Sequence, residues 1–226
     1  MNSKYHVIKK LTHFVGSKSV DSFHYVMYHG LAEREGRGDA AVNPPKICGK
    51  YVDRLLLTIN VFRPSLMFQP HLNLVVAEEV RHKLASLPDV DFLEARVDKA
   101  FYIPYTESSF THWNDPKYKD DGSGPERVID RQSHRQDLLD QLQPLFEVIP
   151  PKYAEVRDLF SDTLPVSLAL GPTKFSRPFL AELSIKMLHL YPMMRHFGCH
   201  ILSDAAFKLL APYVNWHYFL HAESTL

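Results

Sequence analysis

Glycine is scarce, nine positions in a chain of 226 residues. None falls in a Gly-x-x-x-x-Gly-Lys-Ser/Thr or Gly-x-Gly-x-x-Gly arrangement, the spacings that let successive amides close on a phosphate. Gly171-Pro172-Thr173-Lys174-Phe175-Ser176 carries a lysine but lacks those convergent glycines. A Gly-x-Ser-x-Gly elbow and a His-Glu-x-x-His helix are also missing, so the motifs of nucleotide binding, serine hydrolysis and zinc proteolysis are unreadable here. Cysteine is rarer still. Cys48 and Cys199 form no Cys-x-x-Cys pair and no disulfide ladder, and both read as small buried hydrophobes. Charge of one sign is not in excess: 26 Lys and Arg balance 26 Asp and Glu. The chain therefore has no long-range field to gather nucleic acid or anionic lipid. No long apolar run is found either. The stretch from Leu180 to Met194 is broken by Glu182, Lys186, His189 and Pro192, short of the roughly 20 residues a bilayer crossing needs. The amino terminus shows no apolar segment after its lysines, so no secretory signal is readable and a cytoplasmic location is expected.

What is present is a hydrophobic fraction of 45%. A chain of this length removes roughly 70% of its unfolded surface from water, enough for one α+β domain over residues 1–226 without metal or disulfide. Strands are expected at 5–15, 21–28, 55–62, 72–76, 90–97, 164–170, 199–202 and 215–220 from alternating or β-branched apolar runs. Residues 31–45, rich in Gly, Pro, Glu and Arg, read as a loop. Helices are expected at 77–87, 136–146, 153–160, 178–190 and 203–213, where leucines or other apolar residues recur at helical spacing. Without regular β-α-β alternation, the order implies an α+β fold with a mixed or largely antiparallel sheet and packed helices.

Two of these segments read alike. Setting Ala77-Glu78 over Ser203-Asp204 brings Val80, Leu84 and Leu87 over Ala206, Leu210 and Tyr213, which fits either a degenerate internal duplication of a strand-helix-strand unit or the ordinary likeness of one amphipathic strand-helix-strand to another. Ser203 is the better helix cap, since its hydroxyl can accept from an amide of the first turn.

The thirteen histidines invite a metal test. His196 and His200, with Cys199 between them, and His217 and His221 stand four apart, but Gly198 interrupts the first pair and strand-like aromatics hold the second. His24 and His29 have no acidic or thiol neighbour. Ordinary histidines are expected, with no metal or cofactor. Glu78 and Glu79 are explained by the positive end of a helix dipole. Phe62, Phe68, Phe101-Tyr102 and Trp216, Tyr218, Phe219 are expected in the core. The polar stretch 113–135 is expected as an exposed loop, with Asp115, Asp120, Asp121 and Glu126 among Lys117, Lys119 and Arg127.

The segment Leu74-Val75-Val76-Ala77-Glu78-Glu79-Val80-Arg81-His82-Lys83-Leu84, followed by Val90-Asp91-Phe92-Leu93, resembles bacterial immunity proteins of polymorphic toxin systems. In several of those families an apolar strand enters a Val/Leu-Ser-Glu/Asp helix start, an amphipathic helix and a strand with Phe. Ile201-Leu202-Ser203-Asp204-Ala205-Ala206-Phe207-Lys208-Leu209-Leu210 looks like the same pattern with its serine. The chain departs from it in the polar insert from Asn114 to Arg135. The resemblance implies stoichiometric binding of a cognate toxin domain with no catalytic residue, and by analogy partner contacts at Asp115, Asp120, Asp121, Glu126 and Asp130. The competing expectation is a hydrolase or transferase working through histidine and carboxylate groups, which would have to converge in a cleft.

Overall fold

The computed structural model describes residues 5–10, 30–37, 44–61, 66–70, 73–103, 129–152, 155–156, 159, 185–196, 199–213 and 219–220. In chain order they form β1 (Tyr5–Lys10), β2 (Leu31–Arg34), β3 (Lys46–Ile47), β4 (Lys50–Tyr51), β5 (Leu55–Asn60), β6 (Met67–Phe68), β7 (Leu74–Ala77) and α1 (Glu78–Leu84). There follow β8 (Asp91–Phe101), α2 (Gln136–Leu139), β9 (Leu145–Ile149), α3 (Ile185–Leu190), β10 (Met193–His196), β11 (Cys199–Ser203), α4 (Asp204–Leu210), a 3-10 turn (Ala211–Tyr213) and β12 (Phe219–Leu220). The strands expected at 21–28 and 164–170 lie outside the described residues. So does most of the helix expected at 153–160, of which 155–156 are helical.

The chain divides into two compact units, one of Met1–Lys10, Glu78–Phe92 and Val148–Leu226, the other of Leu11–Ala77 and Leu93–Glu147. A six-stranded sheet runs β2-β5-β8-β9-β7-β6. Its β2–β5 and β6–β7 pairs are antiparallel and its β5–β8 pair is parallel. A second, four-stranded sheet runs β10-β11-β1-β12 with antiparallel neighbours throughout. The fold is thus α+β, mixed and largely antiparallel, with packed helices.

Period two explains β5. Leu55, Leu57 and Ile59 are buried while Leu56, Thr58 and Asn60 are half-buried, so one face meets the core. That core gathers Leu55, Leu57, Ile59, Val61, Phe68, Val75, Ala77, Ala95, Ala100 and Leu145. Gly30 enters it with φ +74°, so close to β5 that a Cβ would stand 2.0 Å from the Thr58 carbonyl oxygen. Only glycine fits there.

Four expectations are corrected. Residues 31–34 are strand, not loop, because Arg34 pairs with Leu55 and lies on the core face with its charge neutralised by Glu147. The helix expected to run to 146 stops after one turn. Pro144 cannot donate to a helical ladder, and Leu145–Ile149, with β-branched Val148 and Ile149, forms β9. Cys48 is exposed. It sits at φ 49° with Gly49 at φ 78° between β3 and β4, the two-residue turn with both centres left-handed that matches strand twist and turns its side chains to water. Tyr102 is 42% exposed, whereas Phe68 and Phe101 are buried as expected.

The two similar helices form as their sequences require. In α1, Glu78 and Glu79 occupy the first turn and Arg81, His82 and Lys83 the last, charges that complement the helix dipole. Val80 and Leu84 are its buried face, and Ala206 and Leu210 are that of α4. Ser203 caps α4, its hydroxyl accepting from the Ala206 amide at 3.2 Å. Ser203→Ala is expected to lower unfolding free energy by about 1 kcal/mol, read as a shifted urea midpoint at constant slope. An unchanged midpoint would show that the cap contributes nothing.

Candidate partner-binding surface

Of the five carboxylates singled out from the sequence, Asp130 is described; Asp115, Asp120, Asp121 and Glu126 lie outside the described residues. Its position is set by a β-bulge. The β5–β8 register pairs Leu57 with Val97 but Thr58 with Lys99, leaving Asp98 as an extra residue. The bulge restores Ala100 opposite Ile59 on the core face and puts Lys99 beside Thr58 on the other. An unbulged strand would send Lys99 into the core. Released from it, the Lys99 ammonium donates to the carbonyl oxygens of Ile129 at 2.9 Å and Asp130 at 3.0 Å.

The following residues are tied to the same strand end. The Ala100 amide donates to His134 Nδ1 at 3.2 Å, and the Arg135 amide donates to the Ala100 carbonyl at 2.8 Å. Because Nδ1 accepts, the His134 proton belongs on Nε2, which donates to Gln136 Oε1 at 3.0 Å. Ile103 and Ile129, which flank residues 104–128, are buried at 2% and 0% exposure. Asn60 grips the first end in both directions, its amide donating to the Ile103 carbonyl and its side-chain oxygen accepting from the Ile103 amide.

The outcome is a polar ridge over 130–141 on a fixed backbone. Arg135 makes a forked pair with Asp137, Nε to Oδ1 at 2.9 Å and Nη2 to Oδ2 at 2.7 Å. These hydrogen bonds hold the Asp137 carboxyl below its ordinary value and the Arg135 guanidinium above its own. The guanidinium also lies 5.9 Å from the centre of the exposed Tyr102 ring, a cation–π distance. Asp140 accepts from Gln136 at 2.6 Å. The Asp130 carboxylate is exposed and takes no partner among the described residues. Sequence reasoning missed Tyr102, His134 and Arg135. The Arg-Gln-Asp spacing of 135–137 was a readable sign of a charged surface turn, but the bulge that brings Tyr102 beside it was not.

Other chemistry-bearing groups do not converge. Among the described residues no three His, Cys, Asp or Glu side chains could hold a metal ion. His200 lies on β11 and is fully buried. His24, His29, His217, His221 and Gly171-Ser176 lie outside the described residues. Glu78 and Glu79 serve the helix: Glu78 meets Arg81 at 3.6 Å, and Glu79 meets Lys83 at 3.5 Å and accepts from the Tyr213 hydroxyl at 2.8 Å. Lys83 donates to that hydroxyl and lies over its ring at 4.7 Å. The Tyr213 hydrogen bond, more than the Glu79 charge, holds the ammonium above its ordinary value, the wrong direction for a base or nucleophile. No helix among the described residues is long and apolar enough to cross a membrane. Comparison with protein-family models, with curated proteins and with solved structures finds no match to this chain.

Proposed function

We propose that the protein is a cytoplasmic immunity protein that binds a cognate bacterial toxin domain one to one and blocks it by occupation. The observation that carries this reading is the ridge at the end of β8. Its backbone is fixed before any partner arrives, its centre offers Tyr102 and Arg135, and Asp130 presents an exposed carboxylate that none of the described residues engages. Tyr and Arg on a preorganised frame are the residue types that anchor protein interfaces, and surrounding charges speed encounter with a complementary face. The acidic residues of the adjoining insert, Asp115, Asp120, Asp121 and Glu126, add to the negative side of that balance and favour a basic toxin cleft.

The test uses the toxin domain encoded by the reading frame beside this protein's gene. Co-expression is expected to restore growth, and the purified proteins are expected to co-elute in a 1:1 complex. Asp130→Lys combined with Tyr102→Ala is expected to weaken that complex at least tenfold while leaving the melting temperature unchanged, since neither side chain supports the core. Absence of protection overturns the function. Protection with unaltered affinity of the double variant moves the binding surface elsewhere.

A further inference from the structure

The likeness of the two helices extends well beyond their apolar faces. Over the described residues of 66–84 and 192–210 the chain repeats one arrangement at a constant offset. Met67 pairs with Val76 and Phe68 with Val75; at the same offset Met193 pairs with Leu202 and Met194 with Ile201. The Ala77 amide donates to the Leu66 carbonyl at 2.8 Å, and the Ser203 amide donates to the Pro192 carbonyl at 2.8 Å. Helix follows at once in both, over Glu78–Leu84 and Asp204–Leu210. A lone hairpin-helix could recur by chance, but here one register, carried through its closing hydrogen bond, and one helix length recur at a single offset.

The strand order adds a further one. Reading outward from the hairpin, the larger sheet contains β6-β7-β9-β8 and the smaller one β10-β11-β1-β12. In each, the strand after the helix stands one place away from the strand before it, and another strand fills the gap. The filler of the first copy's sheet is β9, which opens the second half of the chain. The filler of the second copy's sheet is β1, which opens the first half. These two strands are themselves alike: Tyr5-His6-Val7-Ile8 beside Phe146-Glu147-Val148-Ile149.

The geometry points to a tandem duplication of a strand–hairpin–helix–strand module whose two copies have exchanged their leading strands, β1 completing the second copy's sheet and β9 the first. It is the intramolecular form of a swapped dimer, in which identical elements trade places and every backbone ladder is preserved. Each half of the chain then lacks the inner strand of its own sheet, and the amino terminus is a structural part of the second half.

A protease site inserted between the exposed residues Gln143 and Pro144 tests this in the full chain. After complete cutting, the two fragments are expected to elute together at the mass of the uncut protein and to part only in denaturant. In the same protein carrying Cys48→Ser and Lys9→Cys, a short bis-maleimide is expected to join position 9 to Cys199, its register partner. The cut chain should then run as one band on a denaturing gel, and as two bands when Cys199→Ser is added. Fragments that separate under native conditions, each retaining β-structure, overturn the exchange. So does a natively eluting cut protein whose position 9 does not link to position 199.

Discussion

Glu147→Ala is expected to lower the unfolding free energy by about 3–5 kcal/mol, the usual result of stranding one member of a buried ion pair. Arg34 and Glu147 both have fully buried side chains. The guanidinium donates from Nη2 to Oε1 at 2.8 Å and from Nη1 to Oε2 at 3.0 Å, with a further bond from Nη1 to the Asp53 carbonyl at 2.9 Å. The sheet order places β5 and β8 between the strands that carry the pair, so the two side chains meet above those strands. Val97 pairs with Leu57 on this face, which puts Ala95, two residues earlier, there as well. Its methyl is the small residue that leaves room for the meeting. Removing the carboxylate would leave a cation in an apolar layer, with the Asp53 carbonyl still accepting from Nη1. Replacing both members by apolar residues of similar size, Arg34→Met with Glu147→Leu, removes the desolvation penalty together with the attraction. That double variant is expected to return to within about 1 kcal/mol of the parent, or above it. Urea unfolding at neutral pH reads both. A single variant as stable as the parent would show that water reaches the guanidinium and that the pair is not truly buried.

The same residues show where sequence reasoning reached and where it stopped. The β5 strand and the two similar helices were legible because their burial follows local periodicity, period two for Leu55, Leu57 and Ile59, and four-residue spacing for Val80–Leu84 and Ala206–Leu210. The Ser203 cap was legible for the same reason, since donor and acceptor lie three residues apart. Arg34 was not. Its place in a core strand depends on Glu147, which is remote in sequence, and composition alone assigns a charged residue beside two glutamates to a loop. The leucines at 138, 139, 142 and 145 keep helical spacing across Pro144, so periodicity overran a break that proline chemistry should have enforced. At the candidate surface, the exposure of Asp130 followed from polarity. The bulge at Asp98, which turns Lys99 outward to hold the ridge, is a property of two paired strands and leaves no mark in either one alone.

His200→Leu is expected to stabilise the protein and to flatten part of its acid sensitivity. Gapless superposition of the two copies puts His200 over Leu74, and both are fully buried. Among the described residues neither imidazole nitrogen of His200 has a hydrogen-bond partner, a cost that a leucine does not carry. Burial, reinforced by the charge of its cross-strand neighbour Arg195, pushes the imidazole down to about 3 from an ordinary 6.5. The folded state therefore holds His200 neutral while the unfolded chain binds a proton below pH 6.5. This contribution is fully present above pH 6.5 and is lost as the pH falls towards 3, at about 1.4 kcal/mol per pH unit through the window. Unfolding by urea at pH 7, 6, 5 and 4.5 isolates the group, because every other titrating residue is common to parent and variant and cancels in their difference. The stability gap in favour of the variant is expected to open steadily below pH 6. A gap that stays constant from pH 7 to 4.5 would mean that the imidazole titrates normally, through access to water or to a partner that the β10–β11 hairpin does not supply.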